Sequence, residues 1–156
     1  MKTFKTWLAT IVVLLCSLTA KAYDFVADGI YYNITSSTDL TVEVTYERKA
    51  INVISGYSGA VTIPATVTYN GNTYSVTTIG NSAFYNSDLT SIAIPESVTS
   101  IGGCAFQYCS SLTSITIPES VTSIGYSAFS GCGSLTTITI PESVTSIEFN
   151  TFSGCI

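Results

Sequence analysis

The sequence predicts a mainly β solenoid made of short stacked coils, preceded by a β-rich N-terminal segment. The first observation behind this prediction is internal repetition, because residues 89–156 recur with a period of 23. The second is composition: only 10% of the 156 residues are charged, against about 25% in an ordinary globular protein. The third is that 46% of the residues are hydrophobic, which argues against a disordered chain. Together these observations favour a repeat fold with a hydroxyl-rich surface.

Three consecutive copies of the repeat align without gaps, at 89–111, 112–134 and 135–156, the last of them incomplete. Apolar columns run through the copies: Leu89, Leu112 and Leu135; Ile94, Ile117 and Ile140; Val98, Val121 and Val144; Ile101, Ile124 and Ile147; Phe106, Phe129 and Phe152. A unit of 23 residues is too short to bury its apolar face by itself, so each copy has to stack on its neighbours.

Within one copy, the residue order predicts a short strand, a bend and a helical turn. Ile115 and Ile117 share one face of the strand because side chains alternate along it. Pro118 ends the strand because it removes a backbone donor. We expect Gly125 to allow a bend, and residues 127–129 to form a short helical turn that places Phe129 in the core.

A degenerate first copy, 61–88, precedes these three and contains an insert. Two runs of alternating residues in the insert flank the dipeptide Asn70-Gly71. This dipeptide favours a two-residue hairpin turn, because both central residues of that turn need positive φ. The insert is therefore predicted to be a β-hairpin in which Val67 faces Tyr74.

Residues 23–60 do not repeat and are interpreted as a β-rich N-terminal cap over the open apolar end of the first coil. Strands are expected at 25–34 and 40–46. The second strand alternates, which puts four residues on one face: Leu40, Val42, Val44 and Tyr46. A separate ligand-binding module is the alternative interpretation.

Residues 1–22 have the layout of a secretory signal peptide. Lys2 and Lys5 precede an apolar run, and the residues ending at Ala22 supply the small side chains that precede a cleavage site. We expect cleavage after Ala22, a secreted or cell-surface protein, and no membrane insertion afterwards. The apolar run is shorter than the roughly 20 residues of a membrane-spanning helix. The alternatives are an uncleaved anchor and a lipoprotein at Cys16, although Leu15 is bulky for the position before a lipidated cysteine.

Cleavage would leave a strongly acidic chain. Only Arg48 and Lys49 would remain as cations against ten acidic side chains, and no Lys or Arg occurs from Val61 onward. Proteins that bind phosphates need cations to replace the counterions. The sequence therefore argues against nucleic-acid binding and against attraction to anionic membranes.

The repeat resembles a known family. Its pattern, Leu-x-x-Ile-x-Ile-Pro followed by Ile-Gly-x-x-Ala-Phe-x-x-Cys, is similar to that of the BspA-like (treponemal-type) leucine-rich repeat family of bacterial secreted and surface proteins. The resemblance covers 61–156 and implies a curved leucine-rich-repeat solenoid on a secreted or cell-surface protein, with a role in adhesion. The sequence departs from ordinary leucine-rich repeats because it lacks their Asn ladder. Three serines stand near that position, so backbone groups there need other partners: Ser97, Ser120 and Ser143.

Three cysteines fall in one column of the repeat: Cys109, Cys132 and Cys155. Stacked strands would place them about 5 Å apart, which fits a buried column of thiols and also permits a disulfide on distance alone. A Cys104–Cys109 bridge is a further alternative, with Cys104 expected nearer the surface. A zinc site is disfavoured because the chain has no histidine and no CxxC pair.

Three glutamates form another column, after the prolines: Glu96, Glu119 and Glu142. Two carboxylates about 5 Å apart match a retaining glycosidase, but recurrence of an exposed repeat position explains the column more simply. A weak stripe for calcium or a cationic ligand is the other alternative. The absence of histidine excludes a Ser-His-Asp arrangement. We therefore expect no enzyme, no catalytic residue, no cofactor and no metal.

The predicted function is an extracellular or cell-surface, adhesin-like protein-interaction module that binds an extracellular protein or glycan. The candidate contact residues are outward strand positions: Ser91, Ser114, Thr116, Thr137 and Thr139. The alternatives are a structural spacer or fragment of a larger surface protein, and an accessory carbohydrate-binding unit of a secreted hydrolase. The sequence also suggests end-to-end self-association at an uncapped C-terminus. Three tyrosines near the turns either make contacts or cover core edges: Tyr85, Tyr108 and Tyr126.

Overall fold

The computed structural model describes residues 23–47 and 56–155, and this part of the chain is mainly β, with ten strands and no helix. The predicted signal peptide at 1–22 and the two cations Arg48 and Lys49 lie outside the described residues. The strands are β1 (Phe25–Ala27), β2 (Ile30–Ser36), β3 (Thr41–Thr45), β4 (Ser58–Thr62), β5 (Thr66–Tyr69), β6 (Asn72–Ile79), β7 (Asp88–Ala93), β8 (Ser100–Ile101), β9 (Ser114–Ile115) and β10 (Ser123–Ile124).

The strands form two sheets. The larger has seven strands in the order β1-β2-β3-β6-β8-β10, with β5 paired to β6, and the smaller has the order β4-β7-β9. The hairpins β1–β2, β2–β3 and β5–β6 are antiparallel, whereas β3–β6, β6–β8 and β8–β10 are parallel. The smaller sheet is parallel throughout. Its strands alternate along the chain with those of the larger sheet from β6 to β10, as expected when successive copies stack.

The N-terminal segment differs from its prediction in one respect. Residues 25–34 were predicted as a single strand, but the chain reverses at Asp28 and Gly29, with φ of 49° and 77°. Asp-Gly is a favoured two-residue turn because it tolerates positive φ at both positions. On the next strand, Val42 and Val44 are fully buried. They pair in parallel with Val76 and Ile79, which joins the N-terminal strands to the larger sheet.

The predicted insert hairpin is confirmed. β5 and β6 are joined by Asn70 and Gly71, with φ of 50° and 80°. Val67 lies opposite Tyr74, in the register that the sequence predicts. Both side chains are buried, so the hairpin contributes to the core.

Parallel neighbours within the three regular copies, 89–156, are 23 positions apart. Ile92 pairs with Ile115, and Ile101 pairs with Ile124. A column of nearly parallel phenylalanine rings runs alongside these pairs, with centroid separations of 5.2, 5.2 and 5.6 Å: Phe84, Phe106, Phe129 and Phe152. Such offset stacking suits the ring quadrupole and adds to the apolar area buried. The predicted alignment of the phenylalanines is therefore confirmed.

Tyr57 extends this column toward the N-terminal strands. Its ring lies 4.7 Å from that of Phe84. Its hydroxyl donates to Thr45 O and accepts from the backbone N–H of Tyr31, both at 2.9 Å. Burial raises the pKa of the Tyr57 phenol above its ordinary value. One side chain thus packs on the aromatic column and also holds β2 and β3 in place.

A ladder of serine side chains takes the place of the missing asparagines. Ser120 Oγ donates to Val98 O at 2.7 Å, and Ser143 Oγ donates to Val121 O at 2.5 Å. Ser97 Oγ donates to Val76 O at 2.7 Å, which continues the ladder toward the N-terminus. Each serine therefore binds a valine carbonyl of the preceding copy, and the ladder supplies the partners that the sequence left open.

The turn that follows the second strand of a copy differs from the prediction. The helical turn predicted at 127–129 is absent, and the residues form tight turns instead. The left-handed residue is Ser127, with φ of 53°, and it recurs as Ser82, Cys104 and Asn150. Gly125 has another role: a Cβ there would lie 2.5 Å from Gly103 N. Its lack of a side chain lets adjacent copies pack closely.

The last copy is less buried than those before it. Ile147 is 49% exposed, whereas its column partners Ile101 and Ile124 are 2% exposed. Phe149 is 78% exposed. Within 23–47 and 56–155, no further copy packs over these two side chains, which explains why the predicted inward position of Ile147 is solvent-accessible here.

Replacing Ser120 with Ala should lower the free energy of unfolding by about 1–3 kcal/mol, because the Val98 carbonyl loses its side-chain partner. Urea denaturation followed by circular dichroism measures this change. Ser114→Ala is the matched control, since Ser114 is exposed on the smaller sheet, and it should change stability by less than about 0.5 kcal/mol. Equal effects of the two substitutions would show that the serine ladder does not stabilise the fold.

Candidate functional site

The candidate contact residues lie on the smaller sheet and on the chain that continues it. Ser91 and Ser114 are directly paired across β7 and β9, and Thr116 forms an isolated parallel bridge with Thr139. Neighbouring strands are about 4.8 Å apart, so each pair presents two adjacent hydroxyl groups. Ser91 is half-buried, and Ser114, Thr116 and Thr139 are exposed. The structure therefore brings four of the five candidates together in two pairs.

Thr137 stands apart from these pairs. It is exposed and lines a hollow of about 280 Å³ with Leu135, Ile138 and Phe152. This hollow lies against the last copy, where apolar side chains are only partly covered. Thr137 thus belongs to the edge of the candidate surface.

The sequence analysis missed the first strand of this surface. β4 pairs with β7 so that Ala60 lies beside Ser91 and Thr62 lies beside Ala93. All but Ser91 are exposed. The sequence contained a signal for this strand. Ile63-Pro64 of the degenerate copy matches Ile94-Pro95, and this match places Thr62 in an outward position.

Apart from the exposed Asp88 at the start of β7, the surface is neutral where the strands lie, and it is acidic where they end. The outward strand positions carry hydroxyl and methyl groups without charge: Ala60, Thr62, Ser91, Ala93, Ser114, Thr116, Thr137 and Thr139. Glu96, Glu119 and Glu142 follow the prolines and are exposed. Hydroxyl groups can donate and accept hydrogen bonds, so the surface can bind polar partner groups at its centre, and its acidic border repels anions.

The cysteine column is built of hydrogen-bonded thiols. Cys109 Sγ donates to Phe84 O at 3.0 Å and Cys132 Sγ donates to Phe106 O at 3.1 Å. Cys155 repeats this contact with Phe129 O at 3.2 Å. These three cysteines and Cys104 are free thiols. The interpretation as a column of thiols fits this geometry, and the Cys104–Cys109 bridge is not formed.

Burial makes these thiols poor nucleophiles. Desolvation raises the pKa of Cys109 to about 11 and that of Cys132 to about 12, and it also raises the pKa of Cys155. The thiolate is the reactive form of cysteine, and both Cys109 and Cys132 are fully buried. The column therefore acts as a set of hydrogen-bond donors between copies.

Residues 23–47 and 56–155 contain neither a metal-binding cluster nor a membrane-spanning helix. No group of three or more His, Cys, Asp or Glu side chains is close enough to hold a metal ion. None of the elements described there is a helix with the length and apolar character needed to cross a membrane.

Parallel pairing of residues 23 apart and continuous apolar columns place this chain in the leucine-rich repeat class. Residues 77–156 match the family described as BspA type Leucine rich repeat region, in 6 copies. The chain belongs to this family. No curated protein matches it.

Three solved structures are similar to this chain. A leucine-rich repeat protein from Bacteroides ovatus is 44% identical, with a TM-score of 0.74 over 85% of this chain and 33% of its own. A leucine-rich repeat protein from Bacteroides capillosus is 36% identical, with a TM-score of 0.67 over 80% of this chain and 86% of its own. A leucine rich cell surface protein from Faecalibacterium prausnitzii is 31% identical, with a TM-score of 0.63 over 84% of this chain and 40% of its own.

These relatives differ in length. The chain spans 33% of the Bacteroides ovatus protein and 40% of the Faecalibacterium protein, but 86% of the Bacteroides capillosus protein. Shared repeats establish the fold and the family. The partners of a whole relative do not transfer to this chain.

Iodoacetamide at pH 8 should modify Cys104 in the folded chain and leave Cys109 and Cys132 unmodified, because Cys104 is partly exposed and the other two are buried. After unfolding in urea all three should react, and peptide mass spectrometry measures the extent of labelling. Labelling of Cys132 in the folded chain at the rate of Cys104 would contradict the buried thiol column.

Proposed function

We propose that this chain is an extracellular or cell-surface protein-interaction module without catalytic activity. Its repeated units of 23 residues stack as a solenoid and present the Ser/Thr surface of the smaller sheet to a partner protein. The observation that carries the proposal is the side-by-side pairing of Ser91 with Ser114 and of Thr116 with Thr139. Family membership and the cell-surface location named for the Faecalibacterium relative support an extracellular role.

The chemistry of the surface favours binding over catalysis. Exposed hydroxyl and methyl groups on a sheet give a partner hydrogen-bond donors and acceptors at fixed spacing. The side chains at the paired positions are short, so little conformational entropy is lost when a partner orders them. None of the five candidate residues is an acid, a base or an activated nucleophile of the kind that catalysis needs.

Secretion is the second part of the proposal. The pattern of Lys2, Lys5 and an apolar run ending before Ala22 supports export and cleavage of residues 1–22. The acidic chain that remains suits a partner whose contact surface is neutral or basic. A partner protein exposed on another cell meets both conditions.

Substituting both Thr116 and Thr139 with Lys should weaken binding to a cell-surface protein at least tenfold, about 1.4 kcal/mol, because two long cations replace paired hydroxyl groups at the centre of the surface. The fluorescently labelled chain is titrated onto epithelial cells and onto bacterial cells, and flow cytometry measures saturable binding. Binding that disappears after trypsin treatment of the cells identifies a protein receptor.

The matched control carries Thr68→Lys and Thr73→Lys. These two threonines are exposed on the β5–β6 hairpin, outside the smaller sheet, so the control adds the same charge elsewhere and should bind as the unmodified chain does. Unchanged affinity of the Thr116/Thr139 variant would remove this surface from consideration. Binding that persists after trypsin treatment would argue against a protein partner.

A further inference from the structure

A groove on the larger sheet lies away from the Ser/Thr surface. It has a volume of about 370 Å³ and is lined by Asn81, Ser100, Ile101, Gly102, Gly103, Ser123, Ile124, Gly125, Tyr126 and Glu148. This volume falls within the range of about 300–1,000 Å³ that is usual for small-molecule sites. Its lining combines the apolar side chains of two isoleucines and a tyrosine with four polar side chains and with glycine backbone.

The groove exists because one copy of the repeat lacks a side chain at a position that the others fill. This position comes directly before the left-handed residue of each turn. It is occupied in successive copies by Asn81, Gly103, Tyr126 and Phe149. Gly103 therefore leaves a gap between the side chains of the copies before and after it. The tyrosine of the following copy leans into this gap.

The ring of Tyr126 lies flat on the backbone of Gly103. A Cβ placed on Gly103 would be 2.5 Å from Tyr126 Cε1 and 2.9 Å from both Cδ1 and Cζ. If this Cβ lay in the plane of the ring, beside Cε1, it would be farther than 2.9 Å from Cδ1 and Cζ. The Cβ position therefore lies above the face of the ring. One face of the ring thus packs on Gly103, and 57% of the side chain remains exposed.

Hydrogen-bonding groups line the same groove as the ring. Asn81 Oδ1 accepts from the backbone N–H of Gly103 at 2.7 Å, which fixes the amide and leaves its Nδ2 group as a donor. The exposed Ser123 hydroxyl can donate or accept, and the exposed Glu148 carboxylate accepts. The groove therefore combines an aromatic face with donors and acceptors along its border.

We propose that this groove binds a neutral sugar ring, stacked on Tyr126 and hydrogen-bonded by Asn81, Ser123 and Glu148. The electropositive C–H face of a pyranose matches the electronegative face of an aromatic ring. Its hydroxyl groups match the mixture of donors and acceptors on the border. Charge restricts the class of sugar. The Glu148 carboxylate repels sulfated and uronic acid units, and no Lys or Arg occurs from Val61 onward to attract them.

The site is independent of the proposed protein-binding surface. Ser100 and Ser123 belong to β8 and β10 of the larger sheet, whereas Ser91 and Ser114 belong to β7 and β9 of the smaller sheet. Substitutions in one surface leave the other intact, so failure of one proposal leaves the other standing.

Native gel electrophoresis of the full chain in gels containing neutral polysaccharide tests the site. The probes are mannan, xylan, galactan and β-glucan, and dextran sulfate serves as the anionic comparison. At least one neutral polysaccharide should retard the chain, and dextran sulfate should not. Tyr126→Ala should weaken the retardation about tenfold, the scale of one aromatic stacking contact, whereas Tyr126→Phe should retain it within about threefold because the ring remains.

Two further variants separate the groove from other aromatic surface. Tyr108→Ala removes another exposed tyrosine that is outside the groove lining, and it should bind as the unmodified chain does. Gly103→Ala keeps Tyr126 but displaces its ring, and it should weaken binding as Tyr126→Ala does. The proposal is overturned if no neutral polysaccharide retards the chain, if Tyr126→Ala binds normally, or if dextran sulfate binds better than the neutral probes.

Discussion

Every repeat copy depends on contact with the copy beside it. The rings of Phe84, Phe106 and Phe129 are fully buried, and each stacks on the phenylalanine of a neighbouring copy at 5.2–5.6 Å. The backbone carbonyls of Val98 and Phe106 find their side-chain partners, Ser120 and Cys132, in the next copy. Apolar packing and side-chain hydrogen bonds therefore both connect each copy to the next one along the stack. Both sheets, the exposed hydroxyl pairs and the groove over Gly103 are positioned by this stacking.

The repetition of the sequence predicts much of this arrangement. Residues that recur at one position must lie over one another, so the phenylalanine column follows from the spacing alone. The hairpin at Asn70-Gly71 follows from local turn chemistry. The same turn rule applied to Asp28-Gly29 would have revealed the reversal that the analysis missed. Apolar and aromatic residues on both sides of this dipeptide made 25–34 resemble one continuous strand, which hid the turn.

Other features could not be read from one copy at a time. Ser127 adopts positive φ although serine shows no preference for it, because the stacked copies on either side fix the path of the turn. Gly125 indicated a bend, but its small size serves the close approach of Gly103. The groove lined by Tyr126 depends on a difference between copies, namely the glycine at Gly103. A search for repeated residues detects what the copies share and does not detect such a difference. The outward hydroxyl positions could be predicted because they repeat.

The pattern of bonds between copies has a consequence for how such chains evolve. One position of the repeat is occupied by Ser87, Cys109 and Cys132 in successive copies. The side chain at this position can therefore change from a thiol to a hydroxyl while the packing is preserved. Each copy presents to its neighbour nearly the same donors, carbonyls and rings that it receives from the other side. Duplication or loss of a whole copy therefore recreates an interface that already exists and needs no compensating change in the core. Single-residue differences within a copy diversify the surface.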